Sequence, residues 1–93
     1  MPFALIAHDY EDALDRRMAC RVQHLNRLKQ LAQKGRFLGG GVLLNAHGKM
    51  IGSNVHLGFV QRAELDTWLN DEPYITERVW EKIEIIEIKL LSL

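Results

Sequence analysis

Three side chains that could do chemistry lie within two turns of one predicted helix. Arg17, Arg21 and His24 are spaced four and three residues apart, which places them on one side of an α-helix. Taking Leu14 as the zero direction, Arg21 falls at about −20°, and Arg17 and His24 fall at roughly −60° and −80°. Charged groups near a buried side need partners from elsewhere in the chain. The spacing therefore predicts that acceptors from other elements meet this helix.

The apolar residues of the same helix predict which of its sides is buried. We expect the buried side to be centred on Leu14, with Arg21 in its middle and with Arg17 and His24 along its edge. The apolar residues that spread over about 120° around this direction are Met18, Val22, Leu25, Leu28 and Ala32.

The cationic residues and the histidine each allow two interpretations. For Arg21, the favoured one is a structural clamp on a loop carboxylate such as Asp9, and the alternative is a ligand-binding role. For His24, the alternatives are a neutral histidine satisfied by a backbone bond and a site residue. Two flanking arginines and a later acidic segment favour the site role.

The acidic segment is Asn70–Tyr74, which packs two carboxylates, a proline and a phenol into a helix-ending turn. A carboxylate bonded to one imidazole nitrogen fixes the tautomer, so that the other nitrogen can take a proton from a substrate. Asp71 or Glu72 could play this part towards His24. An ordinary helix end with solvated acids is the alternative.

The pattern along the chain predicts a β-α-β-β-α-β order, the ferredoxin-like arrangement of the α+β class. One sheet with helices on a single face leaves its other face bare, and a second subunit could cover it. We expect a bulge at the Ile85–Ile86 pair, where the apolar alternation changes phase. The predicted elements are a strand over 2–7, a helix over about 13–34 ended by Gly35, a hairpin of strands over 37–44 and 50–60, a helix over 61–70 ended by Pro73, and a strand over 79–91.

Composition narrows the class of protein. The 93 residues, 47% hydrophobic and 26% charged, predict one globular domain over 1–93. Twelve basic and twelve acidic side chains give zero net charge, which disfavours nucleic acid as a partner. No apolar run approaches the roughly 20 residues of a membrane span. With one cysteine and no signal-peptide pattern at the N-terminus, we expect a cytoplasmic protein without a disulfide. The spacing of His8, His47 and His56 matches no metal motif.

The residues described above resemble the YCII-related (YciI-like) family. The resemblance is carried by Arg17, the run Arg21–Leu28, the entry Gly35–Leu38 to the next strand, the pair Gly52–Ser53 and the turn Glu72–Tyr74, and Asp9 also fits. It covers nearly the whole chain in the same order. The resemblance implies a ferredoxin-like fold that pairs into a dimeric α+β barrel, with a site centred on a histidine and an aspartate. His24 matches that histidine, and Glu72 stands where the family has the aspartate of an Asp-Pro-Tyr turn.

The function hypotheses start from this arrangement. The first is a small enzyme without a cofactor that performs acid/base chemistry (isomerisation, elimination or hydrolysis) on a small anionic or aromatic metabolite. His24 would be the general base, oriented by Glu72 or Asp71. The expected substrate-binding residues are Arg17, Arg21, Ser53, Tyr74 and Asp9. The alternatives are a non-catalytic dimer that binds a small ligand and a purely structural role for these groups. A Cys20–His24 nucleophile is disfavoured, because a mid-helix thiol lacks the environment that makes a thiolate.

Overall fold

The computed structural model describes all residues of the chain, 1–93. Four antiparallel strands form one sheet in the order β2-β3-β1-β4. This is the predicted α+β, ferredoxin-like arrangement, with one additional short helix before the last strand. The elements are β1 (Phe3–Asp9), α1 (Leu14–Gln33), β2 (Phe37–Leu44), β3 (Met50–Leu57), α2 (Arg62–Asn70), α3 (Pro73–Thr76) and β4 (Trp80–Glu87).

The core lies between one face of the sheet and the helices. Side chains alternate across a strand, and Phe3, Leu5 and Ala7 of β1 are buried in one cluster with residues of all three helices or of the segments beside them. The opposite face, which carries Ile6 and Asn54 at the centre of the sheet, has no helix over it. No helix of the chain is both long enough and apolar enough to cross a membrane.

The buried side of α1 differs from the predicted one. Leu14, Met18 and Val22 are 37%, 52% and 70% exposed, whereas Arg17 and His24 are buried. The buried residues lie at about −60° to −120° from Leu14. The buried side of the helix is therefore rotated about the helix axis by roughly a quarter of a full turn relative to the prediction. The prediction was wrong because hydropathy alone cannot show that polar side chains find partners on the sheet and in a turn.

Local backbone geometry places two residues of the site. Pro73 disfavours helical geometry at the preceding residue, and Glu72 is extended with φ −73° and ψ 119°. Pro73 does not merely end α2, as predicted; it also occupies the first turn of α3, where its missing N–H is harmless. Glu72 is therefore the N-cap of α3, and its side chain accepts a hydrogen bond from the Tyr74 N–H.

The predicted bulge at Ile85–Ile86 is absent. Ile85 pairs with Leu5 and Ile86 with Ala4 in regular register, so the two isoleucines face opposite sides of the sheet. The register instead shifts between His8 and Asp9, which oppose Lys82 and Trp80. The shift leaves Glu81 as the extra residue of β4, and it places the Trp80 indole on the helix side.

Gly40 explains the glycine-rich start of β2. Its φ is +141°, and a Cβ at this position would lie 2.3 Å from the Asn54 backbone oxygen. A register shift between Phe37 and Gly39 accompanies this close approach. The glycine-rich segment therefore has both a register irregularity and a closely approached backbone.

Candidate functional site

His24 and Glu72 form the centre of the site. Nδ1 of His24 lies 2.9 Å from Oε2 of Glu72, and the two side chains are 5% and 0% exposed. Burial of a carboxylate requires hydrogen-bond donors, and Glu72 has two more. The Tyr74 N–H donates to Oε2 at 2.8 Å, and Arg27 donates to Oε1 at 2.9 Å. An ionised carboxylate only accepts hydrogen bonds, so Nδ1 carries a hydrogen in this contact, and Nε2 is the nitrogen that the neutral form of the ring leaves unprotonated.

Asp71 lies outside this arrangement, although the sequence left it open as the partner of His24. Its side chain is exposed at the end of α2 and lines a surface groove with Arg27 and Trp68. The structure therefore brings Glu72 to His24 and does not bring Asp71 there. The extended geometry before Pro73 aims the two neighbouring carboxylates in different directions.

Arg17 is paired with Asp9, and this corrects the predicted clamp between Arg21 and Asp9. Nε and NH2 of Arg17 donate to the two carboxylate oxygens of Asp9 at 2.7 and 3.0 Å, with both side chains nearly fully buried. The fork of a guanidinium matches a carboxylate in this bidentate way. Arg21, one turn later, is half-buried and makes no hydrogen bond or ion pair within the chain.

Ser53 is held at the junction of the Arg17 pair and the sheet. Its Oγ accepts hydrogen bonds from NH2 of Arg17 at 2.9 Å and from the indole N–H of Trp80 at 3.2 Å. A hydroxyl has one donor and two acceptor positions. Because both acceptor positions are used, the Ser53 hydrogen is left for a third group, and Ser53 lines the cavity described below.

Tyr74 supports the imidazole from one side. The two rings stack with centroids 3.9 Å apart and planes 14° from parallel, and the Arg17 guanidinium carbon lies 4.7 Å from the phenol ring centre. Burial raises the pKa of the Tyr74 phenol, and the Arg17 charge opposes this only in part. The hydroxyl therefore stays protonated at neutral pH and can donate a hydrogen bond.

A cavity of about 240 Å³ lies between α1 and the β2–β3 edge of the sheet. This is space for one small ligand. Arg21 is its one cation without an acidic partner in the chain. Its polar lining is Arg17, Arg21, His24, Ser53 and Tyr74, and its apolar lining includes Leu25, Leu28, Phe37, Val42 and Val55. Asp9 does not line the cavity; it reaches the site only through Arg17.

Cys20 does not share this cavity. Its thiol donates to the Arg16 backbone oxygen at 3.1 Å and lines a separate cleft with Gln23 and Glu77. Burial raises the pKa of the thiol, and the Glu72 and Glu77 carboxylates raise it further. A protonated thiol is a poor nucleophile. No group of three or more His, Cys, Asp or Glu side chains is arranged to hold a metal ion.

Sequence reasoning missed Arg27. It lies three residues after His24, a spacing that places both on neighbouring parts of the helix surface, and it meets Glu72 from the side opposite the cavity. The spacing was visible in the sequence, but the acceptor it shares with His24 was not.

Two comparisons of sequence identify the family. A model of the YCII-related domain matches residues 1–89. The chain belongs to the YCII-related family. Protein YciI of Escherichia coli O6:H1 and Protein YciI of Shigella flexneri are each 30% identical to this chain over 95 residues, which covers 96% of this chain and 97% of the relative. The resemblance noted in the sequence is thereby confirmed.

Solved structures share the fold of this YCII-related chain. The 5-chloro-2-hydroxyhydroquinone dehydrochlorinase (TftG) of Burkholderia phenoliruptrix, solved with 2,5-dihydroxybenzoquinone, superposes with a TM-score of 0.87 at 21% identity, covering 96% of this chain and 94% of that one. Atu4242 of Agrobacterium tumefaciens gives a TM-score of 0.53 at 13% identity over 99% of this chain and 97% of that one. At sequence identities this low, the structural similarity shows a shared fold alone.

Proposed function

We propose that this YCII-related protein is an enzyme that performs acid/base chemistry on a small anionic or aromatic metabolite, with His24 as the general base. The observation that carries the proposal is the unequal environment of the two imidazole nitrogens. Nδ1 is bonded to the buried Glu72 carboxylate, whereas Nε2 has no partner in the chain and His24 lines the cavity. A base needs a free nitrogen of this kind and a carboxylate that stabilises the imidazolium it becomes.

The other polar groups of the cavity suit an oxygen that gains negative charge. Arg21 supplies a cation that no carboxylate neutralises, Ser53 supplies a hydroxyl hydrogen that is not used within the protein, and Tyr74 supplies a protonated phenol. Donors fixed in advance around a developing oxyanion lower the barrier without having to reorganise. The apolar remainder of the lining suits a ring or a short carbon skeleton.

The proposed step removes a proton from carbon or oxygen of the substrate. Nε2 takes the proton, the electron pair of the broken bond moves towards the substrate oxygen, and that oxygen is bonded by Arg21 and Ser53. Return of the proton to another carbon completes an isomerisation, whereas departure of a leaving group with the electron pair completes an elimination. Activation of a water molecule by Nε2 would give hydrolysis. The dehydrochlorinase of the same fold is an elimination catalyst by name, which favours elimination.

Proton exchange tests the base without a known product. Small hydroxyquinones and cyclic enols, including 2,5-dihydroxybenzoquinone, would be incubated with the protein in D₂O, and exchange or loss of substituents followed by NMR. In His24→Asn, an amide N–H can still bond Glu72 but no nitrogen can accept a proton. We expect turnover to fall about 10²–10⁴-fold, the usual contribution of a general base.

His47→Asn is the matched control, because His47 is exposed in the turn between β2 and β3, away from the cavity, and the substitution should leave turnover unchanged. A folded His24→Asn protein that keeps wild-type turnover would rule out the base assignment. Binding of the quinone without any turnover would instead support the binding protein that the sequence also allowed, since Arg21 can hold an anion without chemistry.

We also propose that the chain forms a homodimer through the uncovered face of the sheet. Ile6, Leu43 and Ile86 lie on this face, and Ile86 is 45% exposed. The side-chain oxygen of Asn54, at the centre of the face, is buried and has no hydrogen-bond partner, and a second subunit could supply one. Sedimentation equilibrium should give twice the 10.7 kDa chain mass. A mass of one chain at micromolar concentration would refute the dimer.

A further inference from the structure

Arg27 is fixed by three contacts on the side of Glu72 that faces away from the cavity. Its NH1 donates to Oε1 of Glu72 at 2.9 Å, and its NH2 donates to the Trp68 backbone oxygen at 2.7 Å. Its guanidinium carbon lies 4.3 Å from the centre of the Trp68 ring, and its side chain is 20% exposed. A guanidinium held in this way has little freedom to leave the carboxylate.

Glu72 depends on this contact. Oε2 receives two hydrogen bonds, from His24 and from the Tyr74 N–H, whereas Oε1 receives one, from Arg27. Glu72 is fully buried. A buried carboxylate that loses its counter-charge is strongly disfavoured, and it can avoid the loss by taking a proton or by drawing one more positive charge onto the imidazole. Either change alters the proton on His24.

We propose that Arg27 is a positioning residue of the His24 site that acts through Glu72. It holds the carboxylate as the acceptor of the His24 Nδ1 hydrogen, so that Nε2 remains the free acceptor towards the cavity. The significance for catalysis rests on the proposed function, but the effect on the imidazole itself does not.

The other charged groups around His24 do not replace Arg27. The charge of Arg17 is neutralised by Asp9. Arg21 lines the cavity and has no acidic partner in the chain. The β2 and β3 strands contribute no charged side chain to the cavity. The titratable or charged groups that face His24 or its carboxylate are Arg17, Cys20, Arg21 and Arg27 of α1, and Glu72 and Tyr74 of the turn and α3.

Nitrogen NMR of the imidazole tests the proposal in the free protein. In the ¹⁵N-labelled wild type at neutral pH, we expect two well-separated ring signals for His24, one from a protonated Nδ1 and one from an unprotonated Nε2. In Arg27→Gln, we expect the two signals to move towards each other, because the ring takes a second proton or exchanges between tautomers. A folded Arg27→Gln protein with the wild-type His24 signals overturns the proposal.

Arg36→Gln is the matched control. Arg36 also combines an ion pair, to Glu64 at 2.8 Å, with an aromatic ring, Phe59 at 5.7 Å, but it does not touch Glu72. Its loss should leave the His24 signals in place. A change as large as that in Arg27→Gln would show that any lost arginine disturbs the ring, and this would also overturn the proposal.

A double variant covers the case in which Arg27→Gln does not fold. The neutral side chain of Glu72→Gln needs no counter-charge, so Arg27→Gln combined with Glu72→Gln should regain the folded state. Failure of this double variant to fold would overturn the proposal, since Arg27 would then stabilise the fold independently of Glu72. Failure of His24→Asn to reduce turnover would contradict the proposed function and leave the NMR result intact.

Discussion

Two buried carboxylates meet side chains of α1 in this molecule, and they differ in what they leave free. Asp9 accepts both of its hydrogen bonds from Arg17 in a bidentate contact, and NH2 of the same guanidinium also donates to Oγ of Ser53. Glu72 receives donors from three different residues, one of which is the imidazole of His24. In the first pair, the charges of Arg17 and Asp9 neutralise each other. The second pair leaves a nitrogen of His24 without a partner.

The comparison separates two uses of the same chemistry. A closed pair ties the helix to β1 and neutralises itself, which is a structural role. An open pair holds one ring nitrogen in order to leave the other available, which is what proton transfer requires. Both are buried and polar, so neither burial nor charge alone distinguishes a structural pair from a functional one. What distinguishes a structural pair from a functional one is the number of unused donors and acceptors that face the cavity.

The largest expected effect is on the closed pair. Arg17→Met leaves the Asp9 carboxylate buried without its counter-charge, and we expect the free energy of unfolding to fall by about 3–5 kcal/mol. That is a large part of the stability of a small domain. Urea unfolding followed by tryptophan fluorescence measures it. Arg62→Met, which breaks the exposed pair with Asp66 at 3.0 Å, should cost less than about 1 kcal/mol. Equal losses in the two variants would contradict a structural role for Arg17.

A smaller effect is expected at the open side of the site. Arg21→Gln removes the unpaired cation of the cavity, and we expect the affinity for 2,5-dihydroxybenzoquinone to fall by roughly 10–100-fold, the loss of one charged hydrogen bond. Stability should change little, because Arg21 bonds nothing within the chain. Calorimetric titration measures the affinity. Arg16→Gln, on the same helix but bonded to the Arg78 backbone oxygen, should bind as the wild type does. Unchanged binding in Arg21→Gln would remove the anion site.

The smallest effect is on the pH dependence of stability. Burial raises the pKa of the Cys20 thiol above 9.0 and the pKa of the Tyr74 phenol above 10.0. The folded protein therefore keeps protons that the unfolded chain releases, and stability is lost as the pH rises above about 9, by at most ~1.4 kcal/mol per pH unit for each group. Urea unfolding at a series of alkaline pH values should show a shallower loss in Tyr74→Phe than in Tyr10→Phe. Parallel curves for the two variants would contradict the expected shift.

Much of the fold followed from the sequence, and the reason is that it depends on local patterns. The hairpin strands over 37–44 and 50–60 and the two longer helices were marked by the placement of their apolar residues and by Gly35 and Pro73, and the same pattern along the chain predicted the order of the elements. The extended geometry of Glu72 also followed locally, from the proline after it. Such features need no knowledge of what lies across the molecule.

The errors concern partners across the molecule. Arg17 and Arg21 are one turn apart, so the choice of which one meets Asp9 depends on a rotation of α1 that the hydropathy of Leu14, Met18 and Val22 predicted wrongly. The bulge was assigned to an isoleucine pair that in fact faces both sides of the sheet. Arg27 was missed because its acceptor lies 45 residues away in the chain. A single sequence contains no direct record of such distances.

The double use of one oxygen atom links the site to the local stability of its shortest helix. Oε2 of Glu72 both caps α3, through the Tyr74 N–H, and contacts the His24 ring. Fraying of these four residues would therefore withdraw the cap, the stacked phenol and the orienting oxygen together. Hydrogen exchange at the Tyr74 amide would then report how often the chain visits an inactive form, and ligands that contact the imidazole should slow that exchange.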